Sequence, residues 1–171
     1  MMTRGRSILI ALVISASMLA PARAVASTFR TLDLGELAGQ SESIVRAVVL
    51  DQVSAWNREG SMIFTDVTLA VKQTLRGSPP ERITIRVPGG TVDGFTTVML
   101  GAARFETGTE VVVFTGRWKD GVPRVAGYEQ GVSRVRRDAA GNAVLEGGVA
   151  HGLGVGDLAE RLAAIPSRVK Q

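Results

Sequence analysis

The segment from Met62 to about Leu75 carries the cleanest two-residue period in the chain. Ile63, Thr65, Val67, Leu69 and Val71 fall on one side, and Phe64, Asp66, Thr68, Ala70 and Lys72 on the other. A period of two is the mark of a half-buried strand, and it is incompatible with an amphipathic helix. The segment Ile44 to Val53, rich in Val and Ile, reads as the preceding strand. Asn57-Arg58-Glu59-Gly60 between them has the composition of a turn.

The same reasoning extends along the chain. Arg82 to Val87 alternates again and stops at Pro88-Gly89-Gly90. Phe95 to Leu100 is a candidate strand within a glycine-punctuated stretch, and Glu110 to Gly116 is a continuous apolar run that suits a buried one. Asp120-Gly121 predicts a hairpin into Val122 to Tyr128, and Val132 to Arg136 is expected to pair with Asn142 to Glu146. Two helices bracket these strands. Asp33 and Glu36 have capping-box spacing ahead of Leu34, Leu37 and Ala38. Asp157 is expected to cap a closing helix over 157–165, with Leu158, Leu162 and Ile165 as its stripe. Strands at short intervals with helices at the ends predict a mainly β domain, an antiparallel barrel or sandwich.

The N-terminal segment has a different chemistry. Thr3-Arg4-Gly5-Arg6 is basic, Ser7 to Ala20 is almost wholly apolar, and Ala22-Arg23-Ala24 has a small-x-small form. The apolar run is about 14 residues, short of the roughly 20 that a bilayer span needs. Residues 1–26 therefore read as a secretory signal peptide, and 27–171 as a single exported domain, periplasmic or extracellular, without a membrane span. Loss of Arg4, Arg6 and Arg23 removes three of the formal net charge of +4. A near-neutral domain has no general attraction for nucleic acid. Cysteine is absent, which excludes disulfide staples, thiol nucleophiles and thiolate metal sites.

The segment Ser41-Glu42-Ser43-Ile44-Val45-Arg46-Ala47-Val48-Val49, following a short helix, resembles the first strand junction of netrin-like domains, the OB-type barrel of tissue inhibitors of metalloproteinases. Val71-Lys72-Gln73-Thr74-Leu75-Arg76-Gly77 is similar to the end of their next strand. The likeness spans Asp33 to Gly77 and implies an antiparallel OB-like, netrin-like β-barrel with a short N-terminal and a C-terminal helix. Val87-Pro88-Gly89-Gly90, Gly101-Ala102, Phe105, Gly108 and Glu110-Val111-Val112-Val113-Phe114 resemble bacterial secreted proteins, a likeness that implies no biochemistry. The animal inhibitors ligate protease zinc through an N-terminal cysteine. This chain has none, so inhibition would need another wedge.

Candidate chemistries are few. His151 is the sole histidine. Pairing it with Ser43 or Ser133 as a hydrolytic site lacks a Gly-x-Ser-x-Gly elbow, and the glycine-rich connector around it favours an incidental role. One imidazole cannot build a zinc site, and Asp93-Gly94 and Asp120-Gly121 suit turns better than calcium loops. Gly152 to Gly156 lacks the strand–loop–helix–strand context of a phosphate cradle. Glu106, Glu110 and Glu129 read as solvated rim charge, and Arg124, Arg134, Arg136 and Arg137 as a solvated basic face.

Trp56, with Arg58 two residues on, admits two readings. It anchors a partner from an exposed loop, or it packs across the hairpin on Phe64 or another apolar residue. The expectation is an exported, monomeric, non-enzymatic binding module without cofactor or metal. Its site is expected at Trp56 and Arg58 and at the Gly89 and Gly90 loop, and its partner is an extracytoplasmic protein. The alternatives are a metalloprotease inhibitor and, further off, a carboxylate- or histidine-dependent hydrolase.

Overall fold

The computed structural model describes residues 30–166. The leader read at 1–26 lies outside them. Helix α1 (Leu34–Gln40) precedes two long strands, β1 (Ser43–Trp56) and β2 (Ile63–Arg76). Strands β3 (Arg82–Pro88), β4 (Gly90–Val92), β5 (Phe95–Thr97), β6 (Glu110–Arg117) and β7 (Pro123–Val125) follow. A 3-10 turn (Tyr128–Gly131), β8 (Val132–Arg137), β9 (Ala143–Glu146) and helix α2 (Val155–Ala164) complete the chain. The molecule is mainly β, and every pairing is antiparallel.

The main sheet runs β3-β2-β1-β6-β8-β9, with β7 paired to the far end of β6. It curls until β3 lies against β7. No hydrogen-bonded ladder joins β3 to β7 among the described residues, so the expected closed barrel is not formed as a continuous ring. β4 and β5 form a separate two-stranded arm. Its turn, Asp93-Gly94, has both residues at positive φ (50° and 81°), which suits the right-handed twist of a tight hairpin.

Two cores explain the apolar run in β6. Val111 and Val113 point into the curl, against Val45, Val67, Ile85 and Val125. Val112 and Phe114 point outward, into a second core with Leu37 of α1, Leu145 of β9, and Leu158 and Leu162 of α2. A strand covered on both faces carries no polar alternation. The same division separates Val45 from Ile44 in β1.

Helix α1 starts as its sequence predicts. Asp33 Oδ1 accepts from Glu36 N at 2.7 Å, and Glu36 Oε2 accepts from Asp33 N at 3.2 Å. Other expectations need correction. Helix α2 begins at Val155 with Gly154 as its N-cap, and Asp157 sits in the first turn, where its carboxylate reaches back to Gly154 N at 3.2 Å. The candidate strand at 95–100 ends at Thr97, and β7 ends at Val125, after which the chain enters the 3-10 turn. No helix among the described residues is long and apolar enough to cross a membrane.

Candidate functional site

The β1–β2 turn is held by one side chain. Asn57 Oδ1 accepts from Ser61 N (2.7 Å) and Met62 N (3.1 Å), and Asn57 N donates to Met62 O (2.7 Å). The β6–β7 turn is held similarly. Trp118 N donates to Val122 O (2.8 Å), and Asp120 Oδ1 accepts from Val122 N (3.1 Å). Both turns thus have fixed backbones, which presents their side chains at low entropic cost.

The two turns border one groove of about 790 Å³, whose floor includes Phe64 and Asp66 of β2 and Arg86 of β3. This volume is typical of small-ligand sites. Trp56 and Arg58 enter from the first turn, and Trp118, Lys119 and Asp120 from the second. These are the only two tryptophans of the chain.

Trp56 keeps 40% of its surface exposed. Its ring meets Phe95 of the β4–β5 arm edge to face, with centroids 6.0 Å apart. The aromatic partner is therefore Phe95; the cross-strand neighbour of Trp56 is Ile63, and Phe64 stands opposite Ala55. Trp118 is braced by the Arg124 guanidinium, 5.2 Å from its ring centroid. Its Nε1 is covered and finds no acceptor among the described residues.

Asp66 and Arg86 are direct cross-strand partners. Arg86 Nε donates to Asp66 Oδ1 at 2.7 Å and Nη2 to Oδ2 at 2.8 Å. This bidentate fork fixes both planar groups on the groove floor. The hydrogen bond to Asp66 raises the Arg86 pKa above its usual value, and the Asp66 charge adds to the effect.

Gly89 and Gly90 are not brought into this groove. They border a separate recess with Thr65, Gln52 and Val98. The reason is the path of the backbone. Gly90 has φ 142°, and a Cβ there would lie 2.5 Å from both Ser54 Oγ and Thr65 Oγ1. Thr65 Oγ1 also donates to Gly89 O at 2.7 Å. The glycines let the chain fold tightly back over β1 and β2.

The remaining sequence candidates are engaged elsewhere. His151 Nδ1 accepts from Gly147 N at 3.0 Å. Glu110 pairs with Arg46 (2.6 Å), Glu106 with Arg134 (2.7 Å) and Glu146 with Arg136. The basic face read from Arg134 and Arg136 is thus locally neutralised. Among the described residues no three His, Asp or Glu side chains gather as a metal site would require.

Sequence reasoning missed Trp118 and the Asp66–Arg86 fork. A signal for Trp118 was present. Trp56-Asn57-Arg58-Glu59-Gly60 and Trp118-Lys119-Asp120-Gly121 both place tryptophan on the shoulder of a polar, glycine-ended turn. No known protein family matches the chain, and no curated protein or solved structure matches it either.

Proposed function

We propose that this is an exported, non-enzymatic binding module whose ligand lies in the groove between the β1–β2 and β6–β7 turns. The observation that carries the reading is the meeting of both tryptophans in one groove, from turns distant in sequence. Solvent-accessible aromatic side chains on rigid turns are the usual anchors of recognition.

The fold reading goes with it. The order β3-β2-β1-β6-β7, with β3 lying back against β7, fits an OB-type, netrin-like barrel that is open at one seam. Such barrels are partly open, and they bind extended ligands on the face of strands 2 and 3 between two loops. The bordering of the groove by β2, β3 and two turns supports this reading. A binding rather than catalytic role is supported by the carboxylates, since Asp66, Glu106 and Glu110 are each held by an arginine. A carboxylate whose oxygens are engaged by a guanidinium is poorly placed to pass a proton to a substrate.

Nuclear magnetic resonance titration of the chain with exported-compartment glycans and peptides tests the reading. Amide shifts concentrated at Asn57 to Gly60 and Trp118 to Gly121 are expected. Shifts centred on the β8–β9 hairpin instead would refute it.

A second reading draws on the β4–β5 arm. Phe95, Val98 and the following Leu100 are 64%, 70% and 78% exposed. An apolar projection of this kind supplies the wedge that a protease inhibitor without cysteine needs. Assay against secreted metalloproteases at micromolar protein tests it, and unchanged protease rates remove it.

A further inference from the structure

Resting on the groove assignment above, we infer that the ligand is a neutral, hydroxyl-rich chain: a glycan whose sugar rings lie on the indoles of Trp56 and Trp118.

Charge narrows the class first. Arg58, Arg86 and Lys119 border the groove, and so do Glu59, Asp66 and Asp120. Cations and carboxylates balance. A polyanion such as a nucleic acid strand or an anionic membrane gains its affinity from a surplus of cations, and releases counterions in proportion to the charges neutralised. This groove offers no such surplus. A polycation meets the same obstacle with the opposite sign.

Hydrogen-bond chemistry narrows it further. Ionised carboxylates only accept, and guanidinium and ammonium groups only donate. The groove sets both kinds side by side. A hydroxyl donates and accepts, so a row of them can answer every group in turn. The planar Asp66–Arg86 fork presents adjacent acceptor and donor sites to neighbouring hydroxyls. A proline-rich peptide is the other natural occupant of an aromatic-lined groove. Its backbone offers carbonyl acceptors and lacks N–H donors at proline. Such a peptide would cover Asp120 and Glu59 without supplying donors, and covering a carboxylate whose accepting capacity is not filled is costly.

The aromatic surfaces complete the match. The face of an aromatic ring carries partial negative charge. A pyranose presents one flat side of C–H groups carrying partial positive charge, with its hydroxyls directed outward from the ring. Stacking buries the apolar side and leaves the hydroxyls to the charged rim. The Trp56 ring is steadied by Phe95 and the Trp118 ring by Arg124, so both platforms are set before a ligand arrives.

The chain carries its own reporter. Both tryptophans line the groove, so tryptophan fluorescence, excited selectively over Tyr128, reads this site. The full chain is titrated separately with cellohexaose, chitohexaose, maltohexaose and decaproline, with calorimetry in parallel. At least one hexasaccharide is expected to give a saturable fluorescence change, and decaproline none. Trp56→Ala is expected to weaken that binding about tenfold or more, as for a stacking anchor. Trp56→Phe, which keeps a flat ring, is expected to restore most of it, and this separates stacking from misfolding.

A saturable response to decaproline, with none to the hexasaccharides, overturns the glycan assignment and leaves the groove standing as a binding site. Hexasaccharide affinity unchanged in Trp56→Ala by calorimetry overturns the groove assignment itself. Silence toward all three hexasaccharides overturns the glycan assignment. Release of shorter sugars during incubation would leave the ligand class standing and refute the non-enzymatic reading.

Discussion

The two halves of strand β1 obey different rules. From Ile44 to Val48 the strand is paired on both sides, with β2 and β6. From Asp51 to Trp56 its ladder continues with β2 alone. Val45 is fully buried, while Val53 is 58% exposed. Residue type is the same, so burial is decided by the face each side chain takes and what covers it: Val45 lies in the inner core, and Val53 stands opposite Asp66 on the side of β2 away from Thr65 and Val67. A register shift between Val49 and Asp51 marks the boundary. Bulges of this kind bend a strand and re-aim its side chains. The first half builds the cores, and the second carries Trp56 to the groove.

The comparison breaks most sharply by truncation in each half. Ile44 is fully buried in the outer core, and Ile44→Ala is expected to cost about 2–5 kcal/mol in denaturant unfolding. Val53→Ala should stay within about 0.5 kcal/mol of the parent, as an exposed position. Equal losses at the two sites would remove the distinction between the halves.

Gly90 tests what backs the second half. Gly90→Ala forces a left-handed φ on a residue with a Cβ, directly against Ser54 of β1 and Thr65 of β2. A loss of about 1–3 kcal/mol is expected from thermal or denaturant unfolding. A silent substitution would mean that this corner does not press on β1.

Trp56 sharpens the comparison further. A Trp56→Ala, Phe95→Ala double-mutant cycle should return a coupling of about 0.5–1.5 kcal/mol, the range of an edge-to-face pair. Stability should fall little, whereas ligand binding falls strongly. A large unfolding penalty with intact binding would reassign Trp56 to the scaffold.

The smallest effect lies away from β1 and gives a baseline. Asp138, in the β8–β9 turn, accepts from Asn142 N (2.8 Å) and Ala140 N (2.9 Å) and from the Asn142 side chain (3.1 Å). These bonds favour the charged form, and hold its carboxyl below the ordinary value, with the backbone bond from Asn142 first among the causes. A depressed pKa stabilises the fold above the ordinary carboxylate range, and the contribution is lost as pH falls through the folded value. Asp138→Asn should flatten that acid limb slightly. Carboxyl titration by nuclear magnetic resonance reads the direction, and an ordinary or raised pKa would contradict the geometry.

Some of this architecture is legible along the chain. Alternation from Ile63 to Leu69 predicts the buried side of β2, and the structure buries Ile63, Thr65, Val67 and Leu69. The pairing of Asp33 with Glu36 and the hairpin chemistry of Asp120-Gly121 are local as well. Local rules failed where a distant neighbour competed. Asp157 looks like a cap, yet it serves the first turn, because Val155 is held in the outer core and the helix begins earlier. Phe95 to Leu100 looks like one strand, yet only Phe95–Thr97 finds a partner, β4.

The amino-acid sequence by itself determined the strand period, the turn chemistry and the helix start at Asp33. Steric preference and short-range hydrogen bonds act between residues close in the chain. Only the tertiary structure decided that β6 faces two cores, that β1 loses its second neighbour after Val49, and that Trp56 and Trp118 share a groove. Each of these depends on which surfaces meet across space, and burial is a property of both partners, whereas a sequence pattern displays one of them.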